Sequence, residues 1–514
     1  MAPTGWAAGL LLAAVAAAAA AAVAAGGRVA IGDVGQQLEA QLVGVQQALQ
    51  AAGDAALHVK WRERGCIYQV LTDRGFAPEG TGAPPCEDLT GYCGGEYAPL
   101  ADRGLDYIEE LGCDAVWISP VVEQVAGGYH GYWARDFNAL NPAFGTAADL
   151  RHLKTSMEAK NMLLMVDAVF NHVGPVGMDF ARLASPFDSE AAFHPRCQIV
   201  DWSNQEQVEQ CRLADLPDIK QEDAGIRRFL LDWARNATGG TYGLVGTGVV
   251  ADGLRIDTVP EVHPSFWREL ADGTGAFLAG EVFNGDAAYV ARYQREALPS
   301  VLNYPAFFAL RACFGPERRS LRSLEAFMGP TGVLWQAFPD PHALVTFVDN
   351  HDNDRWLHTG DAVGYANGLA VQLLMAGVPV VYYGSEQGLA GGADPQNREP
   401  LWTTGYKTDG DLFRLIAALV AHRKAARVFE YAQIQRYADD SFYAFTRGAT
   451  FVAACNDGGA SGSRRITYHE YAEGATLCDV LGAAGGEGCV QVQGGFDVAC
   501  RDGGPVVLYP TTPV

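Results

Sequence analysis

The chain has 514 residues, of which 49% are hydrophobic and 19% charged, and its formal net charge is -23. That length exceeds one ordinary core and predicts two or three domains, and the composition excludes an intrinsically disordered chain. So acidic a surface repels phosphate backbones, which argues against nucleic acid as a partner and leaves neutral or cationic ligands.

Gly5 to Gly27 carries no charge and ends in Ala22-Val23-Ala24-Ala25, a small-residue cleavage pattern. It reads as a secretory signal peptide over residues 1–25, which predicts a secreted protein. No Lys or Arg precedes Arg28. The run is also about 20 residues long, enough to span a bilayer, so an uncleaved anchor is the alternative and the only route to membrane association. Residues 26–58 read as a spacer. Val34, Leu38, Leu42, Val45, Leu49 and Ala52 fall at helical spacing, and Gly53 closes the run.

From about residue 59 to 425, short runs rich in Val, Ile and Leu alternate with longer helical patterns. The runs are CIYQVLTD (66–73), AVWISPV (115–121), LLMVDAVFNH (163–172), GLRIDTV (253–259), FLAGEVF (277–283), SVLNYP (300–305), LVTFVDNHD (344–352) and PVVYYGSEQ (379–387). Apolar strands separated by helices imply parallel strands buried on both faces, and eight such units predict a closed (β/α)8 TIM barrel of α/β class. The long gap after the third run predicts an inserted subdomain over 173–220. Asn236-Ala237-Thr238, beyond that subdomain, is a glycosylation sequon that fits passage through the secretory pathway. Residues 426–514 switch to short alternating strands with Gly-rich turns, a C-terminal antiparallel β-sandwich.

Eleven cysteines leave at least one free or paired with another chain. Cys86 with Cys93, and Cys197 with Cys211, would each close a short polar loop. Cys66 and Cys113 sit in apolar runs and read as buried thiols.

Polar groups gather at one end of these strands. The third run finishes at Asp167, Asn171 and His172, the fourth at Arg255 and Asp257, the fifth at Glu281, and the seventh at Asp349, Asn350, His351 and Asp352. One aspartate in such a place is commonplace as a helix cap. Several strands doing so together point to chemistry, because barrel enzymes draw catalytic groups from the carboxyl ends of their strands. Period two puts Arg255 and Asp257 on one face, where the arginine can hold the aspartate ionised. Three carboxylates from three strands suit chemistry at a sugar acetal.

The stretches LTDRG, YHGYWARDF, LLMVDAVFNH, LPDI, DGLRIDTV, GEV, FVDNHDN, PVVYYGSEQ and GGADPQNRE occur in this order from residue 71 onward. As an ordered set they resemble the α-amylase family, glycoside hydrolase family 13, and especially its fungal-type secreted members. The resemblance implies retaining endo-hydrolysis of α-1,4-glucosidic bonds in starch- or glycogen-type glucans by a monomeric enzyme. Asp257 is then the nucleophile, Glu281 the general acid and base, and Asp352 the transition-state stabiliser. Arg255 positions the nucleophile. His172 and His351 bond the sugar at the cleavage point, Tyr132 stacks on it with His130 and Trp133 beside, and Asp394 and Arg398 bind one subsite away. The resemblance also implies a structural calcium held by Asn171, Glu209, Asp218 and the carbonyl of Glu261.

The chain departs from that pattern in places. Pro260-Glu261 replaces the usual Lys-His after IDTV, on the leaving-group side of the substrate. A disulfide usual near the fifth strand is missing, since Leu278 and Ala291 lie there. The 33–53 helix has no counterpart. Cys478 and Cys489 are a candidate further pair. A glucanotransferase would use the same catalytic residues. A membrane-anchored, non-catalytic transporter subunit is a third reading, but such relatives typically lose the carboxylates present here.

Overall fold

The computed structural model describes residues 59–78, 86–460, 462–482 and 488–511. The predicted signal peptide and the 33–53 helix lie outside them. The first ten strands, in chain order, are β1 (Ile67–Val70), β2 (Ala115–Ile118), β3 (Val122–Gln124), β4 (Ala134–Leu140), β5 (Leu163–Ala168), β6 (Gly253–Ile256), β7 (Phe277–Gly280), β8 (Ser300–Val301), β9 (Val345–Thr346) and β10 (Val378–Tyr382). Eight of them form one parallel sheet in the order β8-β7-β6-β5-β2-β1-β10-β9, and a parallel bridge between Leu302 and Val345 joins its two edges into a ring. All eight apolar runs thus supply a barrel strand. Two contribute only two paired residues each, β8 and β9, because Asn303 caps the helix Tyr304–Phe314 and the DNHD segment leaves the ladder.

Side chains alternate across the barrel wall. Leu254 and Ile256 join the outer core under the helices, while Leu163, Met165, Phe277 and Ala279 fill the interior with Ile67, Ala115, Trp117 and Val380. Trp61 plugs the floor, stacked on Phe277 at 5.3 Å between ring centroids. Gly253 permits this: a Cβ there would meet Trp61 at 2.8 Å. The outer helices bury one stripe each. Ala224–Thr238 covers Ile226, Leu230, Leu231, Ala234 and Ala237, with Asp223 accepting from the backbone N–H of Gly225 and Ile226 at its start.

Two excursions rise above the carboxyl ends of the strands: the antiparallel pair β3–β4 and the segment after β5 that closes through bridges His172–Asp218 and Phe193–Ile219. The last strands are β11 (Gln433–Ala438), β12 (Phe442–Arg447), β13 (Thr450–Cys455), β14 (Arg464–Ile466), β15 (Thr476–Asp479), β16 (Cys489–Gln491), β17 (Phe496–Val498) and β18 (Val506–Pro510). They form a six-stranded antiparallel sheet, β11-β12-β13-β18-β15-β16, and a separate pair, β14–β17. Tyr443 and Phe445 of β12 face the barrel core, whereas Phe442 and Ala444 face a second core under the β14–β17 pair.

Cysteine pairing corrects one expectation. Cys66 and Cys113 are not thiols but a disulfide, with Cα atoms 4.5 Å apart. The cause is register: Ile67 pairs with Ala115, so the residues leading into β1 and β2 are neighbours. Cys86–Cys93 and Cys197–Cys211 pair as expected, the candidate pair Cys478–Cys489 is bridged, and Cys455–Cys500 adds a fifth bridge. Cys313, buried, is the free cysteine among the described residues. Also among these residues, no helix is long and apolar enough to cross a membrane.

Candidate active site

The inward positions change character as each strand rises. In β5 they run Leu163, Met165, Asp167; in β6 Gly253, Arg255, then Asp257 just beyond; in β7 Phe277, Ala279, then Glu281. Register sets Asp167 beside Arg255 and Arg255 beside Ala279. One guanidinium is therefore delivered among three carboxylates. Arg255 Nη1 donates to Asp167 Oδ1 at 3.0 Å and to Asp257 Oδ1 at 2.5 Å. Its Nη2 lies 3.0 Å from Glu281 Oε1, an ion pair without the alignment of a hydrogen bond. The arginine is wholly buried. Burial opposes its charge, yet Asp167, Glu281 and Asp257 together hold it protonated beyond the ordinary arginine range.

The backbone after Asp257 serves the same centre. Thr258 adopts φ 49°, a left-handed conformation that costs a β-branched residue about 1–3 kcal/mol. In that conformation its N–H donates to Glu281 Oε2 at 3.0 Å. Tyr304 Oη lies 3.5 Å from the other Glu281 oxygen and accepts from Asn350 Nδ2 at 2.8 Å. Burial lifts the Glu281 carboxyl well above the usual range; Arg255 works against that lift, and the charges of Asp257 and Asp352 add to it. Burial likewise pushes Asp167 up to about 6, against the pull of Arg255. A carboxyl kept protonated near neutrality can act as a proton donor.

A hydrogen-bonded chain orients the far wall. Gln69 Nε2 donates to His351 Nδ1 at 2.8 Å, which leaves the proton of the neutral ring on Nε2. Nε2 meets Tyr132 Oη at 2.7 Å, and that hydroxyl donates to Asp167 Oδ2 at 2.7 Å. Burial, with Arg255 and Arg398 nearby, drives the His351 pKa well below normal, and burial lowers His172. The Tyr132 ring stacks on His351 at 5.3 Å and on His130 at 5.6 Å. Trp133 packs against the core and edges onto His130 at 4.7 Å. Arg398 Nη1 pairs with Asp394 Oδ1 at 3.0 Å, and its Nη2 reaches toward Asp352 at 3.8 Å.

Asp257, Glu281 and Asp352 line one cleft of about 970 Å³ with Tyr132 and His172. Its other wall carries Trp202, Gln205, Glu261, Phe283 and Tyr289. Asp349, by contrast, turns into the fold to accept from the Trp356 N–H, Tyr365 and Ser385. Sequence reasoning left out Tyr304, Gln69, Trp202 and Phe283. Uncharged and spread over β1, the start of the helix Tyr304–Phe314 and two separate loops, they carry no motif signal; Trp202 and Phe283 show themselves only as exposed aromatics, 60% and 51% accessible.

Beside the cleft, the Asn171 amide ends 2.9 Å from Asp218 Oδ1 and 3.1 Å from the Glu261 carbonyl oxygen. With its NH2 turned toward them these are two hydrogen bonds. With Oδ1 turned toward them three oxygens converge, an arrangement that a bound cation would favour. Asp218 is oriented by His194 Nδ1 at 2.6 Å. Glu209 stands apart on the helix Gln205–Gln210, where its side chain accepts from Gln205 Nε2 at 2.9 Å. Gln205 in turn donates to the Pro260 carbonyl at 2.9 Å.

A family model described as the alpha amylase catalytic domain matches residues 72–432. The chain belongs to the α-amylase family. It is 36% identical to an alpha-amylase of Saccharomycopsis fibuligera, over 88% of this chain and 92% of that protein. Alpha-amylase 2 of Schwanniomyces occidentalis is 35% identical, over 84% and 87% of the two chains. Among solved structures, an alpha-amylase from Malbranchea cinnamomea superposes with a TM-score of 0.81 at 36% identity, covering 88% of this chain and 97% of its own. The matched span of this α-amylase-family chain contains every barrel strand after β1 together with Asp257, Glu281 and Asp352.

Proposed function

We propose that the chain hydrolyses internal α-1,4-glucosidic bonds of starch- or glycogen-type glucans with retention of configuration. The observation that carries this reading is the single cleft shared by Asp257, Glu281 and Asp352, with Arg255 between the first two. Asp257 attacks the anomeric carbon, and the bond from Arg255 Nη1 to its Oδ1 orients the attacking carboxylate. Glu281, protonated through its raised pKa, gives its proton to the leaving glycosidic oxygen. Once deprotonated it takes a proton from water, which releases the sugar from Asp257. Asp352 stabilises the positive charge that develops on the ring. Tyr132, His130, His172 and His351 hold that sugar, with Trp133 as support behind; Asp394 and Arg398 bind the next one.

Asn171, Asp218 and the Glu261 carbonyl form a set of oxygens that fits calcium, a hard cation. Glu209 is one short helix away and completes the proposed ligands. Bound there, the ion would tie the end of β5, the inserted segment 173–220 and the turn after β6 to one another. The oxygen set is mixed, which accords with the absence, among the described residues, of any cluster of three His, Cys, Asp or Glu side chains poised for a metal. Five disulfides and the sequon support secretion. In this reading residues 1–25 are a removed leader, 26–58 a spacer, 59–425 the catalytic barrel and 426–514 the β-sandwich of a monomeric enzyme.

The test is product analysis on maltoheptaose. Wild type yields new reducing ends, and Asp257→Asn loses about 10⁴-fold or more in kcat. Equal activity of the two proteins, or chain redistribution without net gain of reducing ends, defeats the proposal; the second outcome would indicate a glucanotransferase.

A further inference from the structure

Asn236-Ala237-Thr238 is the only Asn-X-Ser/Thr sequence in the chain, and its asparagine lines a second cavity, well outside the cleft. That cavity measures about 400 Å³, large enough for a small-molecule ligand. Phe229 and Trp233 give it apolar walls, Asn138 and Asp232 polar edges, and Tyr242 a flank that is 70% exposed. No ring of the described residues stacks on Tyr242. Its backbone belongs to a closed turn: Gly243, Val245, Gly246 and Gly248 all hold positive φ, and the Gly248 N–H donates to the Tyr242 carbonyl at 2.8 Å. This turn presents a bare aromatic face beside the asparagine of a sequon.

Asn236 itself is half-exposed on the last turn of the helix Ala224–Thr238, and its Nδ2 donates to the Asp232 carbonyl at 3.0 Å. One of its two N–H groups makes that bond, so the other is available for substitution without losing it. Gly240 keeps the approach open, since a Cβ there would fall 2.3 Å from Asn236 Oδ1.

We propose that Asn236 carries an N-linked glycan whose first N-acetylglucosamine packs into this cavity against Tyr242. The proposal rests on the secretory reading above. Transfer occurs on the unfolded chain from a lipid-diphosphate oligosaccharide. Asn236 Nδ2 bonds to C1 of the sugar, the C1–O bond to the diphosphate breaks and its electron pair leaves with the diphosphate, and the displaced amide proton goes to solvent. On folding, the remaining N–H still reaches Asp232, and the apolar face of the pyranose covers Tyr242.

The test expresses the full chain in a yeast, once with its own N-terminus and once behind a host secretion leader. Secreted material should lose the mass of one glycan on endoglycosidase treatment, and Asn236→Gln should carry none, with unchanged activity on starch. Tyr242→Ala should lower the melting temperature of glycosylated protein by on the order of 1 °C and leave the enzymatically deglycosylated protein unchanged. Leader-driven protein that emerges without a glycan overturns the modification site. A Tyr242→Ala effect of equal size with and without the glycan overturns the seating. Glycosylation behind the leader, with no secretion from the native N-terminus, upholds the site and defeats the secretory reading instead.

Discussion

The two ends of the barrel bury arginine in opposite ways. At the rim, Arg255 is enclosed by Asp167, Asp257 and Glu281, and their charges hold its proton more firmly than water would. At the floor, the hydrogen-bond partners of Arg423 and Arg447 among the described residues are all backbone carbonyls, and Arg423 also lies over the Phe429 ring. Arg423 donates to Leu373, Gly377 and Arg62, and Arg447 to Met375 and Tyr431, at 2.6 to 3.2 Å. Burial pushes Arg423 down to about 9 and Arg447 well below the ordinary range. Among the described residues neither has a carboxylate partner within ion-pair distance. The rim arginine organises charges that must change during a reaction. The floor arginines cap the carboxyl end of the helix Ala362–Leu374, where fixed carbonyl dipoles are the whole demand.

This contrast is sharpest in Glu281→Gln. The substitution should cost about 10²–10⁴-fold in kcat, measured on starch, because the transferable proton is gone. It should also stabilise the protein near neutrality. The folded Glu281 pKa lies above its unfolded value, so the folded chain keeps a proton that the unfolded chain releases. The contribution of this carboxyl to stability therefore falls as pH rises from about 4.5 toward its raised pKa. The melting-temperature advantage of Glu281→Gln should grow between pH 5 and pH 8; a constant difference would break the assignment.

Arg423→Met should do the reverse. Each carbonyl left without a donor costs roughly 1–3 kcal/mol in urea unfolding, while kcat/KM of the folded fraction stays within about twofold of wild type. A large loss of turnover in folded protein would erase the distinction between rim and floor. Chelation is expected to act between these extremes. It should lower the melting temperature, calcium should restore it, and Asp218→Asn should abolish the response. The smallest effect belongs to Glu261→Gln. Glu261 Oε2 is buried in the cleft wall with no hydrogen-bond partner among the described residues, so the amide should change KM for short oligosaccharides by a few-fold and leave kcat nearly unchanged.

All eight barrel strands were legible in the sequence, because a buried parallel strand must be apolar throughout. The carboxylates of the cleft were legible for the complementary reason: charges that interrupt such runs at one end are conspicuous. Asp167 was visible at its strand end, but its bonds to Arg255 and Tyr132 depend on register between distant segments. The same blindness concealed the Cys66–Cys113 bridge, where two cysteines in apolar runs read as thiols until β1 and β2 are set side by side. Tyr304 and Gln69 carry no charge and sit in ordinary apolar surroundings, so nothing in their neighbourhood singled them out. The brevity of β8 and β9 escaped notice because helix capping by Asn303 looks, in sequence, like a continuing strand.

Asn367 lies midway along the barrel helix Ala362–Leu374, accepts from the Cys455 N–H at 2.9 Å and donates to the Gly503 carbonyl at 2.8 Å. Arg447, from β12, closes the same helix. The C-terminal sheet is therefore an integral wall of the catalytic body rather than a detachable module. A chain ended near residue 426 would expose that helix with its terminal carbonyls and a buried amide bare, and such a fragment should collect as insoluble material instead of a minimal enzyme.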